Sequence, residues 1–364
     1  MISDCIEQHR ILIVGGSGGV GKTSLSAALG IAAARAGHRT LVLTIDPARR
    51  LAAALGLKEI GGEVEDITPR LTEGGVAFSG QLHAMMLDVE NTLDRAVARY
   101  APSPERRDQI LANRLYRNIA GKLSGSQEYA AMQQLQEIAA RGEYDRIVLD
   151  TPPTTQALDF LTSPERLRAF FDSRLIQVFV QFGGRTGRGL FRVTDVLFRT
   201  LERLTGAQVI RDITEFFEVA ESILEPFSEQ SDRAQALLRD PGTSFLIVTG
   251  PNRHQLEDAH VFQTRLTDMQ IRVGAIIANR WLGPPSALQA PTPKPLAATQ
   301  LSGRLAYWAG ALDHLASEQT RAMDDMEKQA RVPLQRVAEL DTEVHSINGL
   351  IELSARLLRS TQTS

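Results

Sequence analysis

The sequence predicts an α/β fold: a mostly parallel sheet, doubly wound into three layers with helices on both faces, beside a helical subdomain. Three observations carry this prediction. Residues 10 to 56 alternate strand, helix and strand; short apolar runs of similar length recur later and end in polar residues; and two long stretches between them have helical periodicity. Strands buried on both faces of a parallel sheet read as near-continuous apolar runs, as these do.

Taken in order, RILIVGG (10–16) is a short apolar run ending in glycine, KTSLSAALGIAAARAG (22–37) is an Ala-rich helix stopped at Gly37, and TLVLTID (40–46) is β-branched. Together they form a βαβ unit. QLHAMMLD (81–88) is a weaker strand candidate, followed by RIVLDT (146–151), SFLIVTG (244–250) and VGAIIANR (273–280). Residues 89–140 and 160–238 read as helical and are assigned to the subdomain. In the second stretch Leu190, Val193, Leu197, Leu201 and Leu204 share one helical face, and Phe216, Ala220, Ile223 and Phe227 repeat the pattern. Such stripes suit either a client groove or packing against neighbouring helices. Residues 283–295, GPPSALQAPTPKP, read as a Pro-rich loop. With no internal repeat, residues 1–364 are taken as a single domain carrying its helical subdomain.

Composition narrows the function. Hydrophobic residues make up 43% of the 364, ample for a substantial core. With 40 basic against 43 acidic residues the net charge is −3, so no nucleic-acid partner is expected and membrane contact is expected only indirectly. Arg185, Arg188 and Arg192 in GGRTGRGLFR (183–192) read as a connecting loop rather than a lipid or RNA contact. The one cysteine, Cys5, taken to lie on an N-terminal tail, can form neither an internal disulfide nor a multi-thiolate metal site. The polar start MISDCIEQHR lacks the plan of a signal peptide, no apolar run of about 18 residues occurs, and a cytoplasmic location is expected.

The chemistry lies in GGSGGVGKTS (15–24). Gly16 to Thr23 fits G-x-x-x-x-G-K-T, placed after an apolar strand and opening a helix. Glycines let successive backbone N–H groups turn toward one anion, and the helix N-terminus adds its unpaired donors and positive dipole end. Gly16, Ser17, Gly18, Gly19, Val20, Gly21, Lys22, Thr23 and Ser24 are therefore read as nucleotide-binding, with Lys22 neutralising the β and γ oxygens and the Thr23 hydroxyl on Mg²⁺. Asp150 ends an apolar strand and could hold Mg²⁺ through water; Asp46 ends the strand after the loop helix. Either aspartate also suits the cap of a turn before its proline. Asn279 closes VGAIIAN with an amide suited to an adenine edge or to a turn.

GGVGKT (18–23), TIDPA (44–48), LHAMMLD (82–88), LDTPPT (149–154) and IIANR (276–280) resemble, in order and spacing, the ArsA-type ATPases. That family includes the arsenite-pump ATPase and the ATPase that delivers tail-anchored membrane proteins. The resemblance runs from about residue 10 to 355, since VPLQRVAELDTEVHSINGL (332–350) is similar to the family's C-terminal nucleotide-proximal loop and last strand-helix. It implies ATP/ADP and Mg²⁺ as cofactors. Lys22 and Thr23 would bind phosphate and metal, Asp46 would orient or deprotonate the attacking water, Asp150 would support Mg²⁺ from the second switch, and Asn279 would read adenine. Pro47, Pro152 and Pro153 would stiffen the segments that move between nucleotide states.

This chain departs from the family in three places. Ser17 stands where relatives carry a lysine that reaches the partner's nucleotide across a dimer, so any such contact would fall to Arg49 or Arg50, which equally suit a solvated helix start. Gln156 replaces a common histidine in the second switch; it can orient water or lie on a helix surface, but it cannot titrate. The scarcity of cysteine excludes arsenite coordination and a zinc-stapled dimer. The leading reading is a cytosolic Mg²⁺-ATPase whose cycle rearranges helices that hold a hydrophobic client polypeptide, acting alone or as a homo- or heterodimer with a partner ATPase subunit. The alternatives are a slow-turnover, nucleotide-gated regulatory or scaffold subunit and a small-molecule kinase.

Overall fold

The structure is a computed structural model that describes residues 2–45, 51–52, 55, 62–73, 77–119, 126–152, 229, 232–283, 301–340, 344 and 346–359. Asp46, Arg49, Arg50, Gln156, the apolar stripes of 190–227 and all of the Pro-rich stretch after Gly283 lie outside these residues. Contacts divide the chain into two compact units, one of Met1–Met86, Arg141–Ala157 and Leu238–Ser364, the other of Leu87–Ala140 and Leu158–Leu237.

The first unit is built on one eight-stranded sheet. Its strands are β1 (Ile11–Gly16), β2 (Arg39–Thr44), β3 (Glu65–Asp66), β4 (Gln81–Met86), β5 (Arg146–Asp150), β6 (Thr243–Thr249), β7 (Val273–Trp281) and β8 (Leu334–Ala338), in the order β3-β4-β2-β5-β1-β6-β7-β8. Every pairing is parallel except that of β3 with β4. This is the α/β architecture that the apolar runs predict. All six residues of β1 and all seven of β6 are buried, as strands covered on both faces must be.

Alternation along the strands divides the core between the two faces. Leu12, Val14, Val42, Val148, Leu246 and Ile277 pack with helix α2 (Lys22–Arg35) and the last helix, Ile347–Leu358. Gly15, pointing the other way, lies under Phe262 of the helix Arg253–Asp268. The N-terminal segment is not a tail. Ile2–Gln8 is the first helix, α1, with Ile2, Cys5 and Ile6 in the core, and Arg146 donates to the carbonyls of Ile6 and Glu7 at its C-terminal end. Three apolar residues in so short a segment escape a reading by composition. Burial raises the Cys5 thiol pKa above its ordinary value, which makes it a packing residue rather than a reactive one.

Strands β2 and β4 each stop two residues before the ends of their apolar runs. The run at 81–88 pairs only through Met86, because Asp88 caps the following helix Val89–Tyr100 by accepting from Asn91 N at 3.0 Å. TLVLTID pairs only through Thr44. The strand β3, two residues long, gives no periodic signal at all.

In the second unit, Val89–Tyr100, Pro104–Ala112, Arg114–Ile119 and Ser126–Arg141 are helical. The first buries Leu93, Ala96 and Val97 at i, i+3, i+4 spacing. Its Thr92 and Arg95 both donate to Gln134 Oε1 on the last of the four. Among the described residues no helix is long and apolar enough to cross a membrane.

Candidate functional site

The carboxyl ends of β2, β5, β1, β6 and β7 meet at one edge of the sheet, where open parallel sheets bind their ligands. The loop from Gly16 to Gly21 leaves the central strand there. Gly16 is required by close approach: its φ is 153°, and a Cβ at this position would lie 1.9 Å from the Val248 carbonyl oxygen on β6. Gly18 and Gly19 are exposed, Val20 is buried in the core, and Gly21 caps α2 with φ 92°. No side chain caps that helix terminus. Its first N–H groups have no intrahelical acceptors and lie at the loop's end of the helix.

Lys22 is largely buried, and its ammonium donates to the carbonyls of Gly16 at 3.0 Å and Ser17 at 2.9 Å. The loop backbone therefore holds the cation over its own centre. Ser17 contributes that carbonyl, whereas its hydroxyl oxygen is buried and makes no hydrogen bond. Thr23 and Ser24 on the first turn are half-buried.

Asp150 sits between Thr44 and Val14 in sheet register and is 1% exposed. Its two oxygens have different donors: Ser26 Oγ reaches Oδ1 at 3.3 Å and Thr44 Oγ1 reaches Oδ2 at 3.0 Å. Its carbonyl accepts from Ile45 N at 3.1 Å, which pins the backbone that leads into Asp46. The next residue, Thr151, donates through its hydroxyl to the Val14 carbonyl at 2.8 Å, and Pro152 is buried beside it. Ser26, Thr44 and Thr151 are site residues that motif reasoning passes over. A signal for Ser26 existed: it is the polar position three residues after Thr23 on an otherwise apolar helix stretch.

Asn279 is also at this edge, where its amide makes one local hydrogen bond. Nδ2 donates to the Val20 carbonyl at 2.8 Å, and a Cβ on Gly21 would come 2.6 Å from the same nitrogen. The ladder is irregular at this point of the strand. Register shifts between Ala278 and Trp281, and Arg280 takes φ 63°, a left-handed conformation that is unusual for a side chain of its size. A bulge beside a ligand loop re-aims a side chain, and here it turns Asn279 under the loop.

The site's oxygen-rich donors suit a hard divalent cation, since Asp150 supplies a carboxylate and Thr23 a hydroxyl. Among the described residues no cluster of three or more His, Cys, Asp or Glu could hold a metal on protein ligands alone. An ion shared with nucleotide phosphates and water needs no such cluster.

Comparison with known proteins identifies the family. The family model for ArsA ATPases, described as anion-transporting ATPase, matches residues 9–290. An uncharacterized protein of Streptomyces coelicolor is 28% identical over 326 residues, 87% of this chain and 74% of the relative. The ATPase ARSA1 of Chlamydomonas reinhardtii is 26% identical over 304 residues, covering 76% of this chain but 36% of that protein. The ATPase GET3 of Malassezia globosa is 27% identical over 284 residues, 76% of this chain and 74% of the relative. A family match across most of the residues that build this loop, sheet and strand-end carboxylate makes the chain a member of the ArsA ATPase family, a nucleotide-binding ATPase.

Proposed function

We propose that the chain binds ATP with Mg²⁺ in the loop of residues 16–24 and couples hydrolysis to the rearrangement of a helical subdomain that holds a client polypeptide or a partner subunit. The observation that carries the nucleotide half is Lys22. Its ammonium is held over the loop carbonyls at the start of α2, which follows the left-handed Gly21. An incoming phosphate would exchange those two carbonyls for charged oxygens, and hydrogen bonds between ionised partners are roughly twice as strong as neutral ones.

In this reading Lys22 neutralises charge on the β and γ oxygens, and the Thr23 hydroxyl and Asp150 hold Mg²⁺, Asp150 through water. The ion supplies Lewis-acid charge stabilisation to the phosphates when bound. Asp46 orients or deprotonates the attacking water and contributes to the metal through water, a role supported by the pinning of Ile45 beside Asp150. Pro152 and Gln156 belong to the segment that responds to the γ-phosphate. In-line phosphoryl transfer asks mainly for positioning and charge neutralisation, which these groups supply. The client half, a dimeric assembly and a cytoplasmic location rest on the family and on the apolar periodicity of residues 190–227.

Phosphate release and nucleotide binding test the first half. Lys22→Ala is expected to lose at least about 100-fold in kcat/KM for ATP. Asp46→Asn should keep bound nucleotide while losing turnover, and the client is whatever this variant retains with ATP from native extract. Wild-type rates in Lys22→Ala would sink the reading. The regulatory alternative is favoured by Ser17, whose side chain is too short to reach a partner's nucleotide; a background rate that Asp46→Asn leaves unchanged would establish it.

A further inference from the structure

We propose that Ser26 and Thr44 are positioning residues for the Mg²⁺–nucleotide site, acting by fixing the carboxylate plane of Asp150. The inference rests on the reading of Asp150 as the residue that holds the metal through water.

The geometry comes from three separate elements. Ser26 lies one turn beyond Lys22 on α2, Thr44 ends β2 and Asp150 ends β5, and all three are buried. Ser26 Oγ donates to one carboxylate oxygen at 3.3 Å and Thr44 Oγ1 to the other at 3.0 Å. Two hydroxyls, on different carboxylate oxygens and from two different elements, oppose rotation of the carboxylate about Cβ–Cγ. A carboxylate that receives hydrogen bonds from metal-bound water must be held in one orientation, because such supporting contacts commonly change metal affinity 10- to 100-fold when lost.

The sequence around Ser26 argues in the same direction. The stretch Ala27-Ala28-Leu29 follows it, and Leu25 precedes it, all fully buried. Serine in a helix interior is unfavourable relative to alanine, and its hydroxyl often bonds back to its own helix. Here it instead crosses to Asp150. The hydroxyl at this position of a buried, Ala-rich helix thus has one evident task, and Thr44 has the matching one from β2.

The experiment measures binding of a fluorescent ADP analogue as a function of free Mg²⁺, and in EDTA, for the full chain and for Ser26→Ala, Thr44→Val, Thr44→Ser and Asp150→Asn. The positioning role predicts that Ser26→Ala and Thr44→Val each raise the Mg²⁺ needed for half-saturation by roughly tenfold, the loss of one hydrogen bond to a charged group. Nucleotide affinity in EDTA stays at the wild-type value, and Thr44→Ser, which keeps the hydroxyl, keeps the wild-type Mg²⁺ requirement. Equal weakening with and without Mg²⁺, or a Thr44→Ser shift as large as that of Thr44→Val, overturns the inference. Should Thr44→Val fail to fold, Ser26→Ala alone decides. Asp150→Asn separates the two levels. If it abolishes the Mg²⁺ dependence while both hydroxyl variants leave that dependence unchanged, only the positioning role falls. If Asp150→Asn also leaves the dependence unchanged, the metal reading of Asp150 falls with it.

Discussion

The two halves of the sheet's carboxyl edge satisfy buried polar groups in opposite ways. On the β2–β5 side, hydroxyls from Ser26 and Thr44 converge on a carboxylate, Asp150. On the β6–β7 side, side chains donate to backbone carbonyls: Asn279 to Val20, and the Thr249 hydroxyl to Gln255 at 2.7 Å. A buried anion is costly unless hydrogen-bonded, and so is a buried carbonyl, yet only the anion offers chemistry once satisfied. The difference teaches that this edge is half carboxylate and half brace, with the loop of residues 16–21 between them.

Gly16 joins the halves, and altering it should have the largest effect on stability. It ends β1 and pairs with Val248 of β6, so the methyl of Gly16→Ala would meet a backbone carbonyl oxygen that cannot step aside. A stability loss of about 3 kcal/mol or more is expected, read from urea unfolding, together with loss of ATP binding. Unchanged stability would mean that β1 and β6 can separate at their ends, and the two halves would then not be coupled through the loop.

Asn279→Ala tests the brace directly, with a smaller effect. Removing the amide leaves the Val20 carbonyl without the donor it has now, at a cost of about 1–3 kcal/mol, and loosens the loop. The melting temperature should fall and KM for ATP should rise, while the preference for ATP over GTP stays unchanged. The opposite pattern, intact stability with lost base preference, would make Asn279 a reader of adenine and move it from the brace to the reactive half.

How far the sequence anticipates this edge depends on the range of the interaction. Gly16 to Thr23 is legible because loop, lysine and helix start are contiguous, and Asp150 because a lone carboxylate at the end of an apolar run has few other uses. Seven of the eight strands lie on runs that read as strands or, for Leu334–Ala338, on a stretch the family resemblance implies. The partners of Asp150 are legible only in part: Ser26 stands out as a polar position on an apolar helix stretch, but it is 124 residues away and Thr44 is 106, and nothing local ties either to Asp150. The same holds for Asn279, which is 259 residues from Val20. Its residue type suggests adenine or a turn, and only the bulge at Arg280 turns it under the loop. The buried N-terminal helix is not legible for a different reason, since three apolar residues among polar ones become a core face only when wound at helical spacing.

Ser17→Ala should have the smallest effect, and that makes it the sharpest test of where the loop's function lies. The family resemblance makes position 17 prominent because a lysine is usual there, yet what this loop uses at that position is the carbonyl, which accepts from Lys22. The hydroxyl oxygen is buried without a hydrogen bond, so deleting it removes an unsatisfied polar atom and no contact. Stability should shift by no more than about 0.5 kcal/mol, and turnover should stay within about twofold of wild type. A tenfold loss of turnover at constant stability would show that the hydroxyl finds a partner only when nucleotide is bound. Ser17 would then belong to the reactive half of the edge, and the absence of the family lysine would have been replaced by a contact of a different kind.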